Sequence, residues 1–266
     1  MNLDSYYAIG DGHVTCQDYA LHDSGSRYDF VIGADGCSGS KHSDVGARFI
    51  VHGLKNFLMN DDDIPSDVLE QLVDSIVDFE IYNGMSSHAF DATLLAAIYD
   101  REESTVRVIM EGDGLILFTR HDGTSFYLRK EYKGGAPFYL NYKRDGQEKV
   151  YFERFGDTLV KSAKNIGEPL PGSLLINCEP KFSLNSDVTT FGSHLYKSIS
   201  IFSDGIFTYL DDKNVGAKVE DILPELVNYK NPIGEFVTRR MMKFNKDWSK
   251  KGGHRYDDIF CGTIIL

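Results

Sequence analysis

The sequence predicts an α+β fold in which antiparallel β-sheets are covered by helices. Three observations carry that expectation. Two β-prone runs, 31–39 (V-I-G-A-D-G-C-S-G) and 198–205 (S-I-S-I-F-S-D-G), each stop abruptly at an Asp-Gly, namely Asp35–Gly36 and Asp204–Gly205. Over 45–77 the apolar spacing switches to three and four residues, as in amphipathic helices. Over 93–129 it returns to short apolar runs separated by tight glycine turns. With no internal repeat, low-complexity segment or linker-like boundary, one domain spanning 1–266 is expected.

Taken in order, 6–20 reads as a short strand, a turn at Gly10–Gly12, and a second extended piece ending near Gln17–Asp18. Residues 22–27 (H-D-S-G-S-R) read as a turn, and 28–34 as a buried strand that holds Asp35 at its C-terminal rim. Val45, Phe49, Ile50, Leu54, Phe57 and Leu58 then form the stripe of a first helix. Asp61–Pro65 breaks it, and its acidic run suits a solvated loop. Ser66 or Asp67, with Glu70, can cap a second helix whose stripe is Leu69, Leu72, Val73, Ile76 and Val77.

Strands are expected at 93–98, 106–110, 115–119 and 126–129, arranged as a β-meander turning at Gly112–Gly114 and His121–Gly123. Residues 133–157 read as a long excursion with a strand at 150–154. The polar stretch 179–197 leads into a strand at 199–202. A short helix is expected at 206–210, amphipathic helices at 219–227 and 236–248, and a terminal strand after Asp257–Asp258. Phe236, Met241, Phe244 and Trp248 are the expected core positions of the last helix.

Composition narrows the functional classes. Forty acidic against 28 basic residues give a formal net charge of −12, which repels a nucleic-acid backbone. No apolar run approaches membrane-spanning length and no basic-then-apolar leader opens the chain, so no membrane partner and a cytoplasmic location are expected. The four cysteines (Cys16, Cys37, Cys178, Cys261) lack C-x-x-C spacing, which fits reduced thiols and argues against structural zinc.

Four carboxylates stand out: Asp18, Asp35, Asp204 and Asp257. Three sit at strand edges, where the rim of a sheet gathers side chains from distant positions. Buried carboxylates need a partner, and a cation is a strong one. Gly36 lets its own carbonyl approach a ligand closely. Such an all-oxygen set suits Mg²⁺ or Mn²⁺ and suits Zn²⁺ or Cu²⁺ poorly. Two cations would need a bridging carboxylate, for which Asp35 is the natural candidate; such a pair supplies hydroxide at neutral pH and clamps an in-line displacement at phosphorus. Read locally, Asp18 is equally a surface turn residue, Asp113 a structural residue of a tight turn, and His13 an ordinary surface histidine.

The motifs Q-D at 17–18, A-D-G-C-S-G at 34–39, D-V-G-A at 44–47, A-T-L at 92–94, G-D-G at 112–114, S-D-G at 203–205 and D-D-I at 257–259 occur in that order. In this the chain resembles the metal-dependent protein phosphatase 2C family, most closely its bacterial branch. The resemblance implies a β-sandwich flanked by helices on both sides, a four-layer α/β/β/α arrangement with two Mn²⁺ or Mg²⁺ ions at one sheet edge. It implies hydrolysis of phosphoserine and phosphothreonine in a protein substrate, itself a Ser/Thr kinase or a kinase's target, and hence a role in signalling. By position, Asp35 would bridge both metals with the Gly36 carbonyl on one, Asp18 would serve the second, and Asp204 and Asp257 the first. Asp35 and Asp204 are the catalytic assignments on which most depends. Asp113 matches a residue of a third, weaker metal site.

There are departures. His13 stands where many members carry a phosphate-binding arginine, which makes it the candidate phosphate ligand, weaker and pH-dependent. Cys37 stands where many eukaryotic members carry a histidine suited to general-acid work, and G-D-G-L replaces a G-D-S-R pattern. Residues 133–157 fall where the family has a flap that influences substrate choice. Two other functions remain open on these residues: a phosphoprotein-binding regulatory module that has lost turnover, and a phosphohydrolase for a small molecule.

Overall fold

A computed structural model describes residues 1–60, 63–166 and 188–266. Cys178, Asp61, Asp62 and the first part of the polar stretch, 179–187, lie outside the described residues.

Two antiparallel sheets stack face to face. One has six strands, in the order β1 (Asn2–Ala8), β13 (Ile259–Ile265), β10 (Tyr196–Phe202), β6 (Gly114–Arg120), β7 (Ser125–Tyr132) and β8 (Leu159–Ile166). The other has five: β2 (Asp18–Ser24), β3 (Tyr28–Asp35), β4 (Leu94–Asp100), β5 (Thr105–Glu111) and β9 (Val188–Gly192). Between the sheets, side chains of alternate residues interdigitate: Val31, Leu95, Ala97, Val106 and Val108 meet Ile116, Phe118, Ile199, Ile201 and Phe260. Each large apolar group so buried contributes about 1.5–3 kcal/mol.

Helices cover both outer faces. On the five-stranded sheet lie α1 (Ser43–Asn60) and α2 (Val68–Asn83), whose Ile50, Leu54, Leu58, Leu72 and Ile76 pack onto Phe30, Ile32 and Ala96. On the six-stranded sheet, α4 (Val219–Leu226) and α5 (Phe236–Lys250) present Ile222, Leu223, Phe236, Met241 and Phe244 to Leu115, Leu117 and Phe202. A small ribbon, β11 (Tyr209–Leu210) with β12 (His254–Arg255), lies beside them. The four layers α/β/β/α are those expected. Among the described residues no helix is long and apolar enough to cross a membrane.

Several local readings are corrected. The second extended piece begins at Asp18 instead of ending there, and runs as β2 through the expected turn to Ser24. Val45 is exposed; α1 turns Ile50, Leu54 and Leu58 inward. Asp67 precedes α2 without a side-chain capping bond; its carboxylate instead accepts from Gln71 Nε2. The expected meander is divided: β4 and β5 pair in one sheet, β6 and β7 in the other. Gly112 and Gly114, with φ +81° and +136°, make that crossing possible. The expected strand at 150–154 is a helix, α3 (Gln147–Phe155), bracketed by the positive-φ glycines Gly146 and Gly156. Its β-prone V-Y-F run is overridden because Tyr151 alone turns inward, into a ring cluster with Phe138, Tyr142 and Phe155. Strands β8 and β9 had no signal, being polar and lying at the sheet edges.

The closest approach of α1 to the chain before β4 fixes the loop after Asp35. A Cβ on Gly46 would stand 1.8 Å from the Ala89 carbonyl oxygen. We expect Gly46→Ala to destabilise the fold by about 1–3 kcal/mol, since backbone must move to admit it. Urea denaturation would check this; an unchanged midpoint would mean that α1 is not seated as described.

Candidate metal centre and phosphoryl-transfer site

Asp18 opens β2 and Asp35 closes β3, and the antiparallel register puts them directly opposite each other. Each is pinned by bonds to its neighbours. Thr93 Oγ1 accepts from the Asp35 amide at 2.9 Å, and the Thr93 amide donates to the Asp35 carbonyl at 2.8 Å. Ser203 Oγ donates to Asp18 Oδ2 at 2.7 Å and accepts from the Phe260 amide at 2.9 Å. Asp18 Oδ1, by contrast, is buried with no hydrogen-bond partner.

Asp204 arrives from the end of β10, at the start of a short 3₁₀ turn (Asp204–Phe207). It acts electrostatically on Asp35, as does Asp18 from the neighbouring strand. A Cβ on Gly205 would fall 1.7 Å from the Asp258 carbonyl oxygen, so the S-D-G turn is wedged against the start of β13. That wedge carries Asp257 to the cluster's edge. Asp113, in the crossing between the two sheets, lies within electrostatic reach of Asp204.

The electrostatics follow from this convergence. Burial raises the Asp18 pKa well above its ordinary value, and Asp204 and Asp258 add to the effect. Burial does the same for Asp35, reinforced by Asp18 and Asp204. Asp113 is pushed to about 7 by burial and by Asp204, against the pull of Arg129 and Lys130. Asp257 rises through burial and Asp204, with His13 opposing. Among the described residues no three such side chains are drawn into a finished ligand set, as expected of carboxylates that repel one another. The orphaned Asp18 Oδ1 and the mutual elevation of four pKa values nevertheless fit a site for hard divalent cations. Gly36 lies under the same loop, and a Cβ there would meet the Ser43 carbonyl oxygen at 2.7 Å.

His13 is engaged by carboxylates. Its Nε2 is 3.3 Å from Asp257 Oδ1, and its Nδ1 is 3.2 Å from Asp258 Oδ2 without forming an aligned hydrogen bond. Asp258, the second aspartate of D-D-I, is buried and accepts from the Gly10 and Gln17 amides at 2.8 and 2.6 Å. It ties the 10–17 loop down beside the cluster. Asp91 does the same for the loop after Asp35: its carbonyl accepts from Cys37 N, and its carboxylate from Ser40 Oγ and Asn141 Nδ2. Tyr139, in the segment before α3, is buried near Cys37. Burial raises its phenol pKa, and Cys37 and Asp35 reinforce the shift. Ser203 and Thr93 fall inside the S-D-G and A-T-L motifs without their roles being visible there, and Asp91 and Tyr139 carry no motif, because each acts only through a tertiary contact. Cys16 is no thiolate; burial, chiefly, lifts it to about 12.

A model of the protein phosphatase 2C family matches residues 8–234, most of the chain. The chain belongs to the protein phosphatase 2C family. Solved structures of similar fold include a bacterial serine phosphatase variant (11% identity, covering 100% of this chain and 98% of that one, TM-score 0.58). Others are the serine/threonine phosphatase Stp1 from Staphylococcus aureus (11%, 100% and 95%, TM-score 0.57) and the S. agalactiae serine/threonine phosphatase (14%, 99% and 99%, TM-score 0.57). No curated protein matches the sequence significantly. At such identities these likenesses establish the fold of this phosphatase 2C chain, and its site is argued from its own residues.

Raised carboxyl pKa values make the folded state hold protons that the unfolded chain releases above the ordinary value of 3.8. The metal-free protein should therefore lose stability as pH rises from about 4 through about 7, the Asp113 value. Thermal melts in chelator across that window, repeated with Mn²⁺, should show the cation's stabilisation growing with pH. A stabilisation that is flat with pH would mean the carboxylates are not its ligands.

Proposed function

We propose that this protein is a divalent-cation-dependent phosphatase acting on phosphoserine and phosphothreonine in a protein substrate. The observation that carries the reading is the convergence of Asp18, Asp35, Asp113, Asp204 and Asp257 from separate strand ends and turns, with no lysine or arginine paired to them among the described residues and only His13 beside Asp257.

Asp18, Asp35, the Gly36 carbonyl, Asp204 and Asp257 would hold two Mn²⁺ or Mg²⁺ ions, with Asp35 between them and Asp113 at a third. When bound, such ions supply hydroxide at neutral pH and stabilise charge on phosphoryl oxygens. The chain's own groups do the rest. Ser203 and Thr93 hold Asp18 and Asp35 in fixed orientations, so that little reorganisation accompanies reaction. His13 stands between Asp257 and Asp258 at the edge of the cluster. Tyr139 retains its proton and closes over Cys37, covering the Asp35 loop from the 133–157 segment.

In this reading residues 1–266 form one catalytic domain and 133–157 act as its flap. The substrate is a kinase or a kinase's target. The free thiols of Cys16, Cys37 and Cys261 suit a reducing, cytoplasmic setting, and the net charge of −12 suits a basic substrate segment.

The test is hydrolysis of p-nitrophenyl phosphate and of a phosphothreonine peptide with Mn²⁺, Mg²⁺ or chelator. Turnover should need metal, and Asp35→Asn and Asp204→Ala should each lower it by more than the ~10–100-fold typical of groups that only support a ligand. Metal binding without turnover of either ester would instead favour a phosphoprotein-binding module, and turnover confined to small esters a small-molecule phosphohydrolase.

A further inference from the structure

Beside the cations the carboxylates would hold, charged donors of the protein itself make the strongest hydrogen bonds to a phosphate dianion. His13, Arg129 and Lys130 bear on the cluster electrostatically. His13 already lies between Asp257 and Asp258, and the Lys130 amine is buried and donates to the Met110 carbonyl. Arg129 is differently situated. It stands on β7 opposite Leu115 of β6, next along from the crossing that carries Asp113. Its guanidinium carbon lies 3.9 Å from the centre of the Phe207 ring.

Phe207 ends the 3₁₀ turn that Asp204 begins. Residues three apart eclipse in such a turn, so the ring marks the face that bears Asp204. A guanidinium stacked on it is therefore held along the Asp204 side of the cluster. Among the described residues its one ion pair is with Glu131, through Nη2. Its Nε is buried with no hydrogen-bond partner, yet the side chain as a whole is 32% exposed. It has donors to spare and a route to solvent.

We propose that Arg129 binds the phosphoryl oxygens of the substrate and of the product phosphate, with Phe207 fixing the plane of the guanidinium. This rests on the phosphatase reading above. Arginine presents two parallel donors to two oxygens, and stacking removes much of the rotamer freedom that binding would otherwise cost. Glu131 holds the free guanidinium and competes with the anion. Nothing in the role moves a proton; it is binding and orientation.

The test uses the full chain loaded with Mn²⁺, as wild type, Arg129→Ala, Arg129→Lys and Glu131→Gln, each checked by thermal melting. Orthophosphate binding is measured by calorimetry and p-nitrophenyl phosphate kinetics on the same samples. Arg129→Ala should weaken phosphate binding and raise KM about tenfold or more, with a smaller change in kcat. Arg129→Lys should recover part of the loss, and Glu131→Gln should tighten phosphate. Unchanged phosphate affinity in a folded Arg129→Ala protein overturns the assignment. Should that variant not fold, unchanged affinity in both Arg129→Lys and Glu131→Gln overturns it equally. A wild type that binds orthophosphate but turns over no ester defeats the phosphatase reading, and phosphate affinity alone then decides the role of Arg129.

Discussion

The structure depends on holding like charges together. Asp18 and Asp35 face each other across adjacent strands, and Asp204 acts on Asp35 electrostatically from the end of a strand of the opposite sheet. Two unit charges about 4 Å apart repel by about 4 kcal/mol at an effective dielectric constant of about 20. The fold offsets that repulsion elsewhere. The apolar layers between the sheets and beneath the two helix pairs anchor every strand that delivers a carboxylate, so none can withdraw without unpairing a buried ladder.

Around the cluster, neutral donors and backbone amides do the positioning. Ser203 Oγ donates to the Asp18 carboxylate, and Thr93 holds the backbone of Asp35, without bringing a charge to either. That choice keeps the site's appetite for cations intact: a lysine or arginine in the same positions would satisfy the carboxylates permanently. Asp258 and Asp91 are buried carboxylates of another kind. Each accepts several protein hydrogen bonds and serves to fasten a loop. The distinction between the two kinds is one of partners, since both are aspartates at strand ends.

Cations are kept to the rim. His13 is shared between Asp257 and Asp258, Arg129 leans on Phe207, and Lys130 is turned toward a backbone carbonyl. Among the described residues no lysine or arginine forms an ion pair with Asp18, Asp35 or Asp204. The segment before α3 closes the remaining side, with Tyr139 on Cys37 and Asn141 on Asp91.

The sequence by itself determined the layered α+β class, the strands ending in Asp35 and Asp204, the main helix stripes and the set of carboxylates in D-G, S-D-G and D-D-I turns. These are local matters: turn chemistry and apolar period are written within a few residues of each position. Only the tertiary structure decided that the chain changes sheets at Gly112, that 147–155 is helical, and which aspartates fasten loops and which face the cluster. It alone brought Arg129 to the Asp204 face. Strand partners, ring clusters such as that around Tyr151, and the neighbours of a buried carboxylate are separated by tens to hundreds of residues, as Ser203 is from Asp18. Such contacts are selected by the packing of the whole chain, and no window of sequence contains them.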